Sequence, residues 1–235
     1  MNAQQLKKSI IQYAMQGKLV PQDSSDEPAA ELVDRIREEK ERLIQEKEIK
    51  KEKPLPGITE EEIPFNIPDS WKWVRHNELF EIIGGSQPSK SYFSSTPSEE
   101  SVRLYQIRDY GKKPQPIYVP KNMVTKFTAE GDILLARYGA SVGKVFIAES
   151  GAYNVAMARI RKLFLSEESV NNKFIYYFYL SSLYQQLVRG IGRSAQAGFN
   201  KADLNGLLMP LPPVKEQMRI VVKIEEMFNK IDSID

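Results

Sequence analysis

The sequence predicts an α+β fold, with a globular domain built on a mostly antiparallel twisted sheet and a few helices, and long helices projecting from both chain ends. Residues 69–165 alternate short apolar runs with Gly, Pro and Ser, which is typical of short strands and turns. Residues 1–53 and 206–235 instead carry apolar side chains at helical spacing. Prolines concentrate between the two patterns. We therefore predict an N-terminal helical region at 1–53, a linker at 54–68, a globular domain at 69–205 and a C-terminal helix at 206–235.

The composition is that of a soluble protein. The chain has 235 residues, of which 41% are hydrophobic and 27% charged, so it can bury a sizeable core. No apolar run approaches the roughly 20 residues that span a bilayer, and the N-terminus is too polar for a secretory signal. Without cysteine the chain forms neither disulfides nor thiolate metal sites. We expect a cytoplasmic protein without membrane contact.

Two helices are predicted before the linker. The first spans residues 2–16, with Leu6, Ile10, Tyr13 and Ala14 on one face, and Gly17 ends it. The second runs from about Ala29 to Lys51, and its charged second half is typical of a solvent-exposed helix stabilised by ion pairs four residues apart.

The globular domain is predicted to begin near residue 69 with a series of short strands. One later segment, 172–187, lacks turn residues and is predicted to be a helix against the sheet. The predicted strands are Trp73–Arg75, Leu79–Ile83, Val102–Gln106, Ile133–Ala136, Lys144–Ile147 and Ala156–Phe164.

The C-terminal helix is predicted to start at Val214, because Pro212 and Pro213 suit an extended entry and nothing breaks a helix after them. Its apolar residues follow a heptad seam, which needs a partner helix. That partner could come from the other end of this chain or from another protein, and the alternative is a helix packed on its own domain. The predicted seam consists of Val214, Val221, Ile224, Phe228 and Ile231, with Leu6, Ile10 and Tyr13 of the first helix as the proposed partners.

Catalytic motifs are missing from the sequence. The single histidine, His76, has no sequence partner for a triad or a metal pair, so a surface or strand-end imidazole is the favoured interpretation. The segment 139–144 superficially resembles a phosphate-binding loop, but its spacing is wrong and a strand follows it. We expect no catalytic residue, no metal site and no cofactor bound by this chain; the sequence favours a binding protein over an enzyme.

Four loops combine glycine, small polar groups, a base and an aromatic residue, within a region where bases outnumber acids. Glycine lets backbone N–H groups approach phosphates, bases neutralise them, and Gln, Asn and Arg can pair with base edges. Any single loop could also be a turn whose charges face water. The candidate DNA-binding residues are Ser86, Gln87, Ser89 and Lys90 in loop one; Gln106, Arg108, Tyr110, Lys112 and Lys113 in loop two; Arg137, Tyr138, Ser141 and Lys144 in loop three; and Arg193, Ser194, Gln196, Asn200 and Lys201 in loop four.

Several motifs resemble the DNA specificity (S) subunits of type I restriction-modification systems. They are QLKKSIIQYAMQGKLVPQDSSDEPAAELVDRIREEKERL near the N-terminus, IPDSWKWVRHNELFEIIGG, LLARYGASVGKV, and GFNKADLNGLLMPLPP running into VKEQMRIVVKIEEMFNKID at the C-terminus. In that family, each target recognition domain reads one half of a bipartite DNA sequence and is followed by a long spacer helix. The resemblance therefore implies that residues 69–205 form a target recognition domain.

The resemblance also implies partners. A methyltransferase (modification) subunit would bind S-adenosylmethionine, and a restriction subunit with translocase and nuclease activity would use ATP and Mg. A full-length family member has two recognition domains and two spacer helices, whereas this chain has one of each. It is therefore either a half-length subunit that forms a homodimer, which would read a palindromic interrupted site, or the first half of a longer chain. The alternative function is a coiled-coil interaction scaffold that recognises no DNA sequence.

Overall fold

The computed structural model of the protein describes residues 2–165, 170–191 and 198–234, which form an α+β fold as predicted. The helices in this part of the chain are α1 (Ala3–Met15), α2 (Ala29–Gln45), α3 (His76–Leu79), α4 (Asn172–Leu180), α5 (Ser182–Ile191), α6 (Lys201–Asn205) and α7 (Val214–Asp232). The strands are β1 (Lys72–Arg75), β2 (Phe80–Gly84), β3 (Ser101–Tyr105), β4 (Tyr118–Pro120), β5 (Phe127–Thr128), β6 (Ile133–Ala136), β7 (Val145–Ile147), β8 (Gly151–Tyr153), β9 (Met157–Lys162) and β10 (Leu208–Leu211). No helix among these residues is long and apolar enough to cross a membrane.

The chain divides into two compact units. Unit 1 comprises Met1–Glu81, Lys162–Leu187 and Ala202–Asp235, and unit 2 comprises Ile82–Arg161 and Val188–Lys201. Each unit therefore combines segments that are distant in sequence. The predicted ranges 1–53, 54–68, 69–205 and 206–235 follow the chain instead, and as functional domains they stay a prediction.

A two-stranded antiparallel ribbon organises unit 1. Strand β1 pairs with β10 so that Trp73 lies opposite Pro210 and Val74 opposite Met209. The ribbon thus joins the segment after the linker to the segment before α7. The linker itself is held down by Arg75, whose guanidinium lies 2.9 Å from both carboxylate oxygens of Glu62.

Helices α1, α4 and α7 pack together in unit 1. The buried face of α1 consists of Ile10, Ile11, Ala14 and Met15, so the predicted face was partly wrong. Leu6 and Tyr13, which are seven residues apart and therefore on one side of the helix, are 40% and 57% exposed. The buried face is rotated toward Ile11 and Met15. These two residues are four apart, so the helical spacing of the sequence allows this face as well as the predicted one.

Helix α7 begins at Val214 as predicted, but a long coiled-coil spacer is not confirmed. Of the predicted seam, Val221 and Ile224 are buried within the chain, while Val214, Phe228 and Ile231 are half-buried. The seam is therefore at least partly covered by the chain itself.

Polar contacts hold α7 on its own chain at several points. Near its C-terminal end, the Lys7 ammonium of α1 lies 2.5 Å from Asp232 and 5.1 Å from the ring centroid of Phe228. Nearer its start, the Arg219 guanidinium binds the buried carboxylate of Asp26 at 2.5 Å. These contacts join α7 to both the first helix and the segment before α2.

Helix α2 ends at Gln45, earlier than the predicted Lys51. Lys47 adopts a left-handed conformation with φ 63°, and the N–H groups of Lys47 and Glu48 donate to the carbonyls of Ile44 and Leu43. This is a Schellman motif, which satisfies the last carbonyls of the helix. The chain then turns back so that Ile49 packs on Leu43 and Leu163, and this burial ends the helix.

Two four-stranded sheets contain most of the strands of unit 2. Their strand orders are β2-β9-β6-β7 and β4-β3-β8-β5. The β6 pairings with β7 and β9 are antiparallel, as are those of β3 with β4 and β5 with β8. Strands β3 and β8 pair in parallel. The mostly antiparallel prediction therefore holds, with β4, β5, β8 and β10 as strands that the sequence did not predict.

The predicted helix 172–187 is two helices. Helix α4 ends at Leu180, and Ser181 at its C-cap has an extended backbone with ψ 163° before α5 begins. The break lets the ring of Tyr184 reach Tyr179, with centroids 5.0 Å apart and nearly perpendicular. Apolar packing of these buried rings explains the break at Ser181, which no Gly or Pro in the sequence indicates.

Candidate nucleic-acid interface

The carboxyl ends of β2, β3 and β8 meet in unit 2. The N–H of Ser86, two residues after β2, donates to the carbonyl of Tyr153 at the end of β8 at 2.9 Å, and the N–H of Asn154 donates to the carbonyl of Tyr105 at the end of β3 at 3.0 Å. Loops one and two therefore start side by side. A Cβ on Gly85 would lie 2.2 Å from the carbonyl oxygen of Asn154, so this close approach requires glycine.

Loops three and four join the same place through Arg137, the first residue after β6. Its N–H donates to the carbonyl of Ala156 at 2.8 Å, and its carbonyl accepts from the N–H of Phe199 at 3.3 Å. Tyr138 and Gly198 form an antiparallel bridge. The Arg137 guanidinium lies 5.0 Å from the ring centroid of Tyr138 and donates to the carbonyl of Phe199 at 3.2 Å.

The structure thus brings together the starts of predicted loops one, two and three and residues 198–199 near the end of loop four. We call this place the loop surface, and we define it as residues 85–87, 106, 137–138, 154–156 and 198–200. The pairings explain the convergence: β3 runs parallel to β8, and β6 runs antiparallel to β9 with Ala136 opposite Met157. As a result, the chain leaves β3, β6 and β8 at one side of unit 2.

The candidate side chains differ in exposure. Gln87, Ser89, Lys90, Arg108, Lys112, Lys113, Tyr138, Lys144 and Asn200 are exposed. Ser86, Gln106, Tyr110, Arg137, Ser141 and Lys201 are half-buried. Arg193, Ser194 and Gln196 lie outside the described residues. The exposed set contains five bases, all of which could approach phosphates without rearrangement of the core.

Tyr110 packs on the core of unit 2. Its ring stacks on Phe146 with a centroid distance of 4.5 Å, and burial raises the pKa of its hydroxyl well above the usual value. Nearby, the Asp109 carboxylate accepts from the N–H of Gln106 at 2.8 Å and lies 3.7 Å from the Arg103 guanidinium. In this arrangement Tyr110 and Asp109 shape loop two, and Arg108, the residue before Asp109, is exposed.

Sequence reasoning missed two segments at or near the loop surface. The turn 154–156 is one of them: the sequence places its last residue in the predicted strand Ala156–Phe164 and does not predict β8 before it. The segment before β5 also comes close, since the N–H of Thr125 donates to the hydroxyl of Ser86 at 3.4 Å. Exposed Lys126 beside exposed Phe127 was the signal that could have pointed to this second segment.

Two observations on the described residues concern the histidine and the possible metal ligands. His76 follows β1, as a strand-end imidazole would, but it is buried, and its Nε2 lies 2.7 Å from the Tyr179 hydroxyl. Across residues 2–165, 170–191 and 198–234, no three His, Asp or Glu side chains come together as metal ligands.

The fold and the loop surface define an α+β protein that presents polar loops from converging strand ends, and comparisons with known proteins give the same class. Residues 68–235 match the model of the type I restriction modification DNA specificity domain. The chain therefore belongs to this family.

Relatives and solved structures agree with this assignment. The chain is 29% identical over 242 residues to the type I restriction enzyme EcoAI specificity subunit and 28% identical over 244 residues to the EcoEI specificity subunit, both from Escherichia coli. Each alignment covers 97% of this chain, but the chain spans only 40% and 41% of the relatives' lengths.

Two solved structures share the fold. A chain from a study of complex assembly and conformational transition of the type I R-M system matches with a TM-score of 0.59 and 20% identity, over 99% of this chain and 51% of that one. The HsdS subunit from Thermoanaerobacter tengcongensis matches with a TM-score of 0.55 and 20% identity, over 98% and 50% of the two chains.

Proposed function

We propose that this chain is the non-catalytic DNA sequence-specificity subunit of a type I restriction-modification system, and that it reads one half of a bipartite DNA site. The observation that carries the proposal is the loop surface, where the starts of three predicted loops meet; exposed amides lie in it, and exposed bases follow along the same loops. Family membership supports the same role. On this proposal the domain 69–205 recognises DNA.

Recognition would proceed in three steps. Exposed Lys90, Arg108 and Lys144 first attract the phosphates, a contact that fixes position without reading sequence. Amides such as those of Gln87 and Asn200 then pair with base edges in a groove. The bound methyltransferase finally receives the target adenine, which it would flip out of the duplex.

The partner subunits would dock on the helical segments 1–53 and 206–235. We propose that a methyltransferase subunit and a restriction subunit bind there, and that S-adenosylmethionine, ATP and Mg are bound by those partners rather than by this chain. We also propose that two copies associate through their terminal helices. Exposed Leu6 and Tyr13 on α1 support this, because no part of the described chain covers them fully.

The test of the proposal is the salt dependence of duplex binding by the chain assembled with its methyltransferase. Removing one phosphate contact in Lys112→Gln should weaken binding to every sequence and reduce the slope of log affinity against log salt by about one. The matched control is Lys72→Gln, an exposed lysine on β1 of unit 1, which should leave the slope unchanged.

A coiled-coil scaffold without DNA recognition makes the opposite prediction. Such a scaffold would show no salt-dependent affinity for duplex DNA, whether alone or with the methyltransferase. Absence of salt-dependent binding by the assembled complex would therefore overturn the proposed function.

A further inference from the structure

The turn between β8 and β9 lies at the centre of the loop surface. Asn154 donates to the end of β3, forms a parallel bridge with Ser86 and is approached by Gly85. Two residues later, Ala156 accepts from the N–H of Arg137. The backbone of this turn therefore contacts the starts of loops one, two and three, although no predicted DNA contact lies in it.

Two amide groups beside this turn are unsatisfied. The Oδ1 atom of Asn154 and the Nε2 atom of Gln106 are buried, and neither has a hydrogen-bond partner among the described residues. One is an acceptor and the other a donor. A buried polar atom without a partner destabilises the folded state, so two of them at one surface call for an explanation.

An apolar side chain follows Asn154 in the chain. Val155 is 36% exposed at the tip of the turn, while the residues on either side are half-buried. Its backbone neighbours are held by the bonds of Asn154 and Ala156, so the valine is presented on a fixed support. A valine here adds nothing to the buried clusters of unit 2, in which it does not take part.

We propose that Asn154 and Val155 are specificity-determining residues and that together they read an A·T pair. A carboxamide can pair with the N6 and N7 edge of adenine, and an apolar side chain fits the thymine methyl group in the major groove. The Oδ1 atom of Asn154 is covered in the free chain, but no hydrogen bond restrains it, so on this proposal the carboxamide turns outward to pair with the adenine edge. The inference rests on the proposed function and adds the turn as a fifth reading segment.

The test compares methylated sequence motifs in DNA from cells that carry the chain together with its methyltransferase. In Asn154→Ala, one A·T position of the motif should lose about 5- to 150-fold of its discrimination, which is the range for one bidentate base contact. Val155→Ala should relax the same or the adjacent position roughly fourfold or more. Every other position of the motif should be unchanged.

The matched control is Ile147→Ala. Ile147 is 48% exposed on β7, opposite Ile133 at the start of β6 and therefore at the far end of that strand from Arg137. Its motif should match that of the wild type. Thermal melting provides a second readout, because removal of an unsatisfied acceptor in Asn154→Ala should not lower Tm, whereas a purely structural role for the amide would.

The outcomes separate this inference from the proposed function. A wild-type chain that directs methylation to a defined motif, with variants that leave the motif unchanged or relax a G·C position, contradicts the reading role of the turn alone. A lower Tm in Asn154→Ala with an unaltered motif contradicts it as well. If the wild-type chain directs no motif, the proposed function and this inference both fail.

Discussion

Single residues hold parts of unit 1 that are far apart in sequence. Glu216, in the first turn of α7, is almost fully buried and accepts hydrogen bonds from the indole N–H of Trp71 at 3.0 Å and from the Gln22 amide at 2.6 Å. One carboxylate thus joins α7 to the segments before α2 and before β1. Burial raises the pKa of Glu216 despite these two donors, which lower it.

This raised pKa predicts a pH effect on stability. Because the folded-state pKa lies above the unfolded value, the ionised group opposes folding at neutral pH, and the opposition disappears as pH falls through the folded pKa. Glu216→Gln cannot titrate. The Tm of the wild type relative to that of Glu216→Gln should therefore rise as the pH falls from 7 toward 4.5, the ordinary pKa of the group, by roughly 2–4 °C for each kcal/mol of penalty removed.

Melting curves of both proteins across this pH range provide the measurement. The control is Glu226→Gln, a change on the exposed side of α7. The difference between its Tm and that of the wild type should not change with pH. If the Tm of the wild type relative to that of Glu216→Gln falls as the pH is lowered from 7, the assigned direction of the Glu216 pKa shift is contradicted.

Tertiary contacts determine where helix α2 ends. Helix α2 carries charged residues of high helix propensity beyond Gln45, yet it stops because Lys47 takes a left-handed conformation and Ile49 is buried against Leu43. A lysine in this conformation is strained relative to glycine, because its Cβ crowds the following carbonyl oxygen. Burial of Ile49 offsets that strain.

Lys47→Gly should therefore stabilise the protein. The substitution relieves about 1 kcal/mol of strain, so Tm should rise by roughly 2–4 °C. Glu46→Gly is the matched control: Glu46 has right-handed helical torsion angles of φ −73° and ψ −4°, so glycine there should lower Tm. Equal effects of the two substitutions in thermal melting would contradict the Schellman assignment.

At the scale of the whole molecule, the proposed association of two copies can be examined residue by residue. Of the residues predicted to mediate it, Ile10, Val221 and Ile224 are already buried in the monomer. Leu6 and Tyr13 are exposed on one side of α1, and the others, Val214, Phe228 and Ile231, are half-buried. A second copy could bury the exposed pair without unfolding the first. A symmetric pair would present two identical interfaces and read a palindromic interrupted site.

The double variant Leu6→Glu/Tyr13→Glu should shift the protein from dimer to monomer in light scattering, because charges would enter an apolar contact. Lys8→Glu, exposed on the opposite side of α1, should leave the mass unchanged. A wild-type protein that is monomeric at all concentrations, or that directs methylation to an asymmetric motif, would contradict the homodimer.

Local sequence rules account for the starts of the two terminal helices and for most of the central strands. Asn2 and Gln5 form a capping box at the start of α1, and Pro212 and Pro213 precede the start of α7, so both helices begin where local rules place them. The α+β class, most of the central strands and three loops that follow strands were predictable for the same reason. Caps, prolines and side-chain periodicity act within a few residues, and the sequence displays them directly.

Long-range packing and strand pairing, by contrast, determine which segments contact one another. The pairing of Trp73 with Pro210, the parallel alignment of β3 with β8, and the placement of Asn154 among the loop starts join residues that no local pattern connects. The same holds for α1, where the helical period allowed either Tyr13 or Met15 to face inward and packing on the neighbouring helices buried Met15. Such choices depend on the surface that each element finds opposite it, so long-range packing, rather than propensity, fixes them.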